Sequence, residues 1–156
     1  FPYTTLFRSE RMTHTASGSW LLHPADIQPH ERGGGARTTP LVTAGMGASA
    51  FITGYTEFAG GAKIPFHFHN CEESVLLVEG HAIFDIDGEA FDLRPLDVTF
   101  IPAGVPHRFR NASATETMKI MWIYGSPEAT RTLVETGETR PIAAEHIIKE
   151  RGEENA

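Results

Sequence analysis

The chain has 156 residues and a formal net charge of -7, with 13 Lys and Arg against 20 Asp and Glu. That balance, with no basic cluster along the sequence, argues against a nucleic-acid partner and against anionic membranes, since both are held by patches of cations. The longest purely apolar run, Ile120 to Tyr124, is far short of the roughly 20 residues that span a bilayer.

The length fits one domain. A lone cysteine, Cys71, precludes an internal disulfide, and no signal-peptide pattern follows Met12, so a cytoplasmic location is the default expectation. Phe1 to Ser9, FPYTTLFRS, reads as a translated sequencing adapter. Residues 1–11 are therefore taken as a non-native leader on a gene assembled from environmental reads, with Met12 as the native start.

Residues 12–36 follow as an N-terminal strand at Trp20 to Leu22, stopped by Pro24, and a flexible loop at Gly33-Gly34-Gly35. Residues 37–125 read as a run of short strands bounded by glycines, the pattern of an antiparallel sandwich or barrel. Arg37 to Ala44 and Ala48 to Phe58 open the series, and alternation predicts that Phe51, Thr53 and Tyr55 face inward. Lys63 to His69 and Glu73 to Val78 come next. Ala82 to Ile86 and Glu89 to Leu93 form a hairpin across Asp87-Gly88, a dipeptide suited to a two-residue turn. Val98 to Ile101, His107 to Asn111 and Glu116 to Tyr124 complete the barrel, with Met118, Ile120, Trp122 and Tyr124 on its inner face. Residues 126–156 read as a helical extension. Ser126-Pro127-Glu128 has the composition of a helix start, predicting a helix to Val134, and a second helix is predicted from Ala143 to Glu150.

The chemistry gathers at one stretch. His67 and His69 are one residue apart, so on a strand both imidazoles point to one face, and Glu73 approaches from the next strand. Imidazole and carboxylate ligate Fe, Mn, Ni, Zn or Cu. His107 lies in the strand pair after Pro95, with Phe109 and Asn111 on its face.

These segments resemble the paired motifs of the cupin superfamily. The first motif is a glycine, five residues, HxH, three residues, Glu, six residues and a glycine, matched by Gly61, His67, His69, Glu73 and Gly80. The second, PxGxxH and three residues to Asn, is matched by Pro102, Gly104, His107 and Asn111. Leu96 stands where that motif usually opens with glycine, a position that shapes a turn. The resemblance implies an all-β fold, a cupin-type jelly-roll barrel with short C-terminal helices. It further implies one divalent transition metal per chain on His67, His69, Glu73 and His107.

Such an ion keeps open positions for water and substrate; a closed tetrahedral zinc is the structural alternative. Tyr55, Tyr124 and Glu57 are the candidate proton carriers, and Phe51, Met118, Ile120 and Trp122 the candidate pocket wall, with core packing or surface exposure as the ordinary reading of each. The first functional expectation is an oxidoreductase or dioxygenase on a small oxygen-rich substrate. The second is a Lewis-acid isomerase, lyase or hydrolase on sugar acids or hydroxy acids, and the third a sugar-binding cupin without chemistry. A homodimer is expected, formed by the Trp20 to Leu22 strand reaching a neighbour's sheet.

Overall fold

The computed structural model describes residues 12–145. Strands β1 (Met12–His14) and β2 (Trp20–Leu22) form a small hairpin of their own. The barrel is built from β3 (His30–Gly33), β4 (Ala36–Pro40), β5 (Ile52–Phe58), β6 (His67–His69), β7 (Glu73–Glu79), β8 (Ala82–Ile86) and β9 (Glu89–Leu93). It continues through β10 (Val98–Ile101), β11 (His107–Asn111), β12 (Met118–Tyr124), β13 (Thr130–Leu133) and β14 (Thr139–Pro141), and ends in a short helix, α1 (Ile142–Glu145). One six-stranded sheet has the order β10-β7-β12-β5-β4-β3 and the other β14-β13-β6-β11-β8-β9, with antiparallel pairing throughout. This is the all-β jelly roll, and its core is the set of residues the two sheets turn toward each other, among them Phe58, Val75, Leu77, Phe109, Met118 and Ile120. Among the described residues no helix is long and apolar enough to cross a membrane.

Register decides which side chains are inside. Along the β5–β12 ladder, Ile52 pairs with Tyr124, Gly54 with Trp122, Thr56 with Ile120 and Phe58 with Met118. Directly opposed residues share a face, so the inward set of β12 is as predicted, but that of β5 is Ile52, Gly54, Thr56 and Phe58. The predicted inward face of Phe51, Thr53 and Tyr55 is the outer one. The reason is Gly54: a Cβ there would lie 2.6 Å from Cη2 of Trp122 and 2.7 Å from the Thr39 carbonyl oxygen. The indole occupies that space, so the inward position with the tightest packing is the one with no side chain to reveal it.

Two further expectations change. The segment after Ser126 makes one turn, with Ala129 N–H donating to the Ser126 carbonyl at 3.3 Å, and then runs as β13. β-branched Thr130 and Thr132 suit the strand, and Asn70 ties its start by accepting from Thr130 N–H at 2.8 Å and donating to the Glu128 carbonyl at 3.2 Å. Of the second predicted helix only the beginning, through Glu145, lies within the described residues. Gly33, Gly34 and Gly35 form an ordered β3–β4 hairpin turn, all at positive φ, rather than a loose loop. The Trp20–Leu22 strand pairs with Met12–His14 of the same chain. The Asp87-Gly88 turn between β8 and β9 is as predicted, with φ of 53 and 76 degrees.

Candidate metal centre

Four side chains meet inside the barrel. β6 carries His67 and His69 inward on alternate positions, β7 begins with Glu73, and β11 begins with His107, whose Cα partner in the ladder is His67. All four are at most 4% exposed. The candidate ligand nitrogens of His67, His69 and His107 lie within 4.8 Å of one another. Glu73 Oε2 is 2.8 Å from His107 Nε2 and 3.6 Å from His69 Nε2.

The backbone fixes how these rings point. Each Nδ1 stands 2.9 Å from a carbonyl oxygen, Pro65 for His67, Thr130 for His69 and Val105 for His107. A carbonyl only accepts, so each Nδ1 carries a proton and each Nε2 is turned to the centre, where the neutral ring presents a lone pair. Nε2 of His69, Nε2 of His107 and Oε2 of Glu73 are buried with no hydrogen-bond partner. Buried polar atoms are nearly always satisfied, and orphaned acceptors converging from several strands are the arrangement a cation satisfies. Oriented imidazoles with Nδ1 committed to carbonyls are the usual support of a metal site. The residues therefore fit a divalent ion.

The electrostatics agree. Burial, with the neighbouring His107 and His69, pushes His67 down from 6.5 to about 3. Burial likewise lowers His69, Glu73 opposing it. Burial alone would raise Glu73, but a hydrogen bond from His107 and positive charge on the His69, His107 and His67 rings would outweigh it and hold the carboxyl below its usual range. At neutral pH His67 is a neutral imidazole and Glu73 a carboxylate, the forms that ligate. Tyr124 has its ring 4.5 Å from that of His69 and 4.8 Å from that of Trp122. Burial and the nearby Glu73 push its phenol well above the ordinary range, so it remains a proton donor.

Of the three expected proton carriers, Tyr124 is the one beside the centre. Tyr55 lies on the outer face of β5 with the Lys119 ammonium 5.1 Å from its ring centroid. Glu57, also outside, pairs with Arg37 at 2.8 Å and Lys119 at 3.5 Å. Phe51 precedes β5 and is 46% exposed. Ile120 and Trp122 line the inner cavity of about 40 Å³ together with Glu73, His67 and Tyr124, while Met118 packs deeper in the core. The sequence reading missed Thr130, whose carbonyl orients His69 from a segment expected to be helical, and Arg32 and Arg131, which line the same cavity. The alternation of β-branched residues at Thr130 and Thr132 is the signal that pointed to a strand there.

Asn111 of the second motif serves the turn rather than the ion. Its Nδ2 donates to the carbonyls of Phe58, Ala59 and Glu116, and its Oδ1 accepts from Ser113 N–H. Leu96, the departure from the motif, holds the left-handed conformation, φ 78, that the usual glycine would adopt freely.

Comparison with known proteins places these features in a family. The model of the cupin domain matches residues 54–124. The polyketide synthase protein CurC of Streptomyces cyaneus is 32% identical over 125 residues, 80% of each chain. The chain belongs to the cupin superfamily. Among solved structures, this cupin is similar to the polyketide cyclase RemF from Streptomyces resistomycificus, with a TM-score of 0.63 and 22% identity over 78% of this chain and 84% of that one. It also resembles an oxalate oxidase in complex with the substrate analogue glycolate, with a TM-score of 0.58 and 19% identity over 67% and 57% of the two chains. At those identities the structural likeness speaks for the fold.

Proposed function

We propose that this cupin is a metal-dependent enzyme that promotes redox-neutral enolisation and ring closure of a small polycarbonyl substrate. The observation that carries the reading is the convergence of three imidazoles, each held through Nδ1 by a backbone carbonyl, and the Glu73 carboxylate in a buried cavity, with the Tyr124 phenol beside them. The likeness to CurC and RemF, named for polyketide synthesis and polyketide cyclisation, supports this chemistry over the other metal-dependent classes.

His67, His69, Glu73 and His107 would hold the ion, which when bound supplies Lewis acidity toward a substrate oxygen. The chain's own residues do the rest. Trp122, Ile120, Phe58 and Phe109 wall the cavity with apolar surface and exclude water. Tyr124, kept protonated, donates to the oxygen on which charge develops as a carbon between two carbonyls loses its proton. Ring closure then joins that carbon to the carbon of a further carbonyl, whose C=O π bond breaks and whose oxygen takes up the proton the first carbon gave up; loss of that hydroxyl with the remaining hydrogen of the same carbon releases water and leaves a C=C bond. Nothing is oxidised.

The test is turnover of a linear 1,3-diketone in deuterated water under argon and under air. Deuterium entering the carbon between the carbonyls at equal rates in both, with no oxygen consumed, is the expected result, and Tyr124→Phe is expected to slow it by about a hundredfold. Oxygen uptake in step with product would replace this reading with the oxidoreductase or dioxygenase one. That second reading is favoured by a ligand set that leaves positions open on the ion and by the fold shared with oxalate oxidase.

A further inference from the structure

The inner cavity of about 40 Å³ has room for little more than one functional group, so the body of any substrate must lie outside it. Outside is a cleft of about 440 Å³, and the two spaces share Arg32, Ile64, His67 and Arg131 as lining residues. The cleft is therefore the approach to the centre. Its charge is opposite to that of the protein: Arg32, Lys63, Arg131 and Arg140 line it, four of the 13 Lys and Arg in a chain of net charge -7, with Glu31 as the acid among them.

Two of these cations are built into the site. Arg131 is the ladder partner of His69. Arg32 Nη1 reaches Thr38 Oγ1 at 3.5 Å, Thr38 shares a hydrogen bond of 2.9 Å with Thr56, and Thr56 accepts from Trp122 Nε1 at 3.1 Å. A chain of buried hydroxyls thus runs from the mouth to the indole that walls the cavity. Arg140 holds Glu138 at 2.6 Å on the outer rim.

We propose that Arg32 and Arg131 bind a carboxylate of the substrate at the inner end of this cleft, so that the enzyme selects a substrate acid whose reacting carbonyl enters the cavity. The assignment rests on the reading of the four-residue centre as the reaction site. The guanidinium fork matches a planar carboxylate through two parallel hydrogen bonds, and two forks flanking one opening fix direction as well as charge. Concentrating cations at the mouth of an otherwise acidic protein also draws an anionic substrate inward and discourages its neutral derivatives.

The test compares 1-hydroxy-2-naphthoate with its methyl ester by titration calorimetry, on zinc-loaded and on metal-stripped protein. The acid is expected to bind at least about tenfold more tightly than the ester in both forms, and the preference to weaken with added salt. In Arg32→Gln and Arg131→Gln the acid is expected to lose about tenfold while ester affinity and zinc content stay unchanged; Arg94→Gln, outside the cleft, should change neither. Equal affinity for acid and ester, no binding of the acid, or equal loss for both ligands in the two variants would overturn the proposal. So would an acid preference that survives in the double variant, since the metal would then be its source, or tighter binding of 1-naphthyl phosphate than of the acid. A protein that fails to take up zinc but still prefers the acid would refute the metal reading and leave the anchor standing.

Discussion

Nε2 of His107 and Oε2 of Glu73 face each other at 2.8 Å, both buried, while Nδ1 on the far side of the ring donates to the Val105 carbonyl. With a neutral ring these are two acceptors, which repel at that distance. A cation or a shared proton between them would make the pair stable, and the three histidines, with ligand atoms within 4.8 Å of one another, are arranged to hold a divalent ion beside the carboxylate.

Metal content follows directly. Protein purified without a chelating tag is expected to carry one equivalent of a divalent transition metal by elemental analysis. His67→Ala and His107→Ala should lose it. His81→Ala should keep it, because His81 pairs with Asp92 at 2.6 Å away from the centre. Unchanged stoichiometry in both ligand variants would overturn the assignment.

Gly54→Ala tests the packing that set the faces of β5. The new methyl would press on the Trp122 indole and the Thr39 carbonyl, and overpacking of this kind costs about 1–3 kcal/mol. A urea titration should show the lowered midpoint. Loss of the Trp122 to Thr56 hydrogen bond should also shift tryptophan emission, which an alanine tolerated without rearrangement would leave in place.

Leu96→Gly should stabilise the protein. Leu96 sits third in the Arg94-Pro95-Leu96-Asp97 turn at φ 78, is 77% exposed, and has little packing to lose. A non-glycine residue in the left-handed region costs about 1–3 kcal/mol, partly offset by about 0.5–1 kcal/mol from glycine's freedom in the unfolded chain. A rise in thermal midpoint with unchanged metal content is the expected outcome. A fall would mean that the side chain is used.

Asp85 makes a pH-dependent contribution on the outer face of the second sheet. Its carboxylate takes Arg110 Nε and Arg108 Nε at 2.6 Å each and Arg110 Nη2 at 2.9 Å, and the hydrogen bond from Arg110, with that from Arg108, holds it below 3.8. A depressed carboxyl stabilises the fold above its unfolded value and stops doing so as pH falls through the folded one. Asp85→Asn should therefore lower stability by about 1–3 kcal/mol at pH 7. The gap from the wild type should close below about pH 4, as the wild-type carboxyl takes up its proton. A gap that stays constant with pH would assign the effect to packing.

The amino-acid sequence by itself determined the all-β class, through short strands and glycine-bounded turns such as Asp87-Gly88, and the resemblance of its two motifs to those of cupins pointed to the family and to His67, His69, Glu73 and His107. The inner face of β12 was equally legible, since Met118, Ile120, Trp122 and Tyr124 are large and alternate cleanly. Tertiary structure decided what depended on a distant partner. The faces of β5 follow from the space that Trp122 takes from Gly54, which is why Tyr55 and Glu57 lie outside. Residues 130–133 are a strand because β6 offers them a free edge and Asn70 ties them down, against the local promise of a helix cap at Ser126-Pro127. The cationic mouth joins Arg32, Lys63, Arg131 and Arg140 from segments far apart in the chain, and no local pattern brings such charges together; only the closed barrel does.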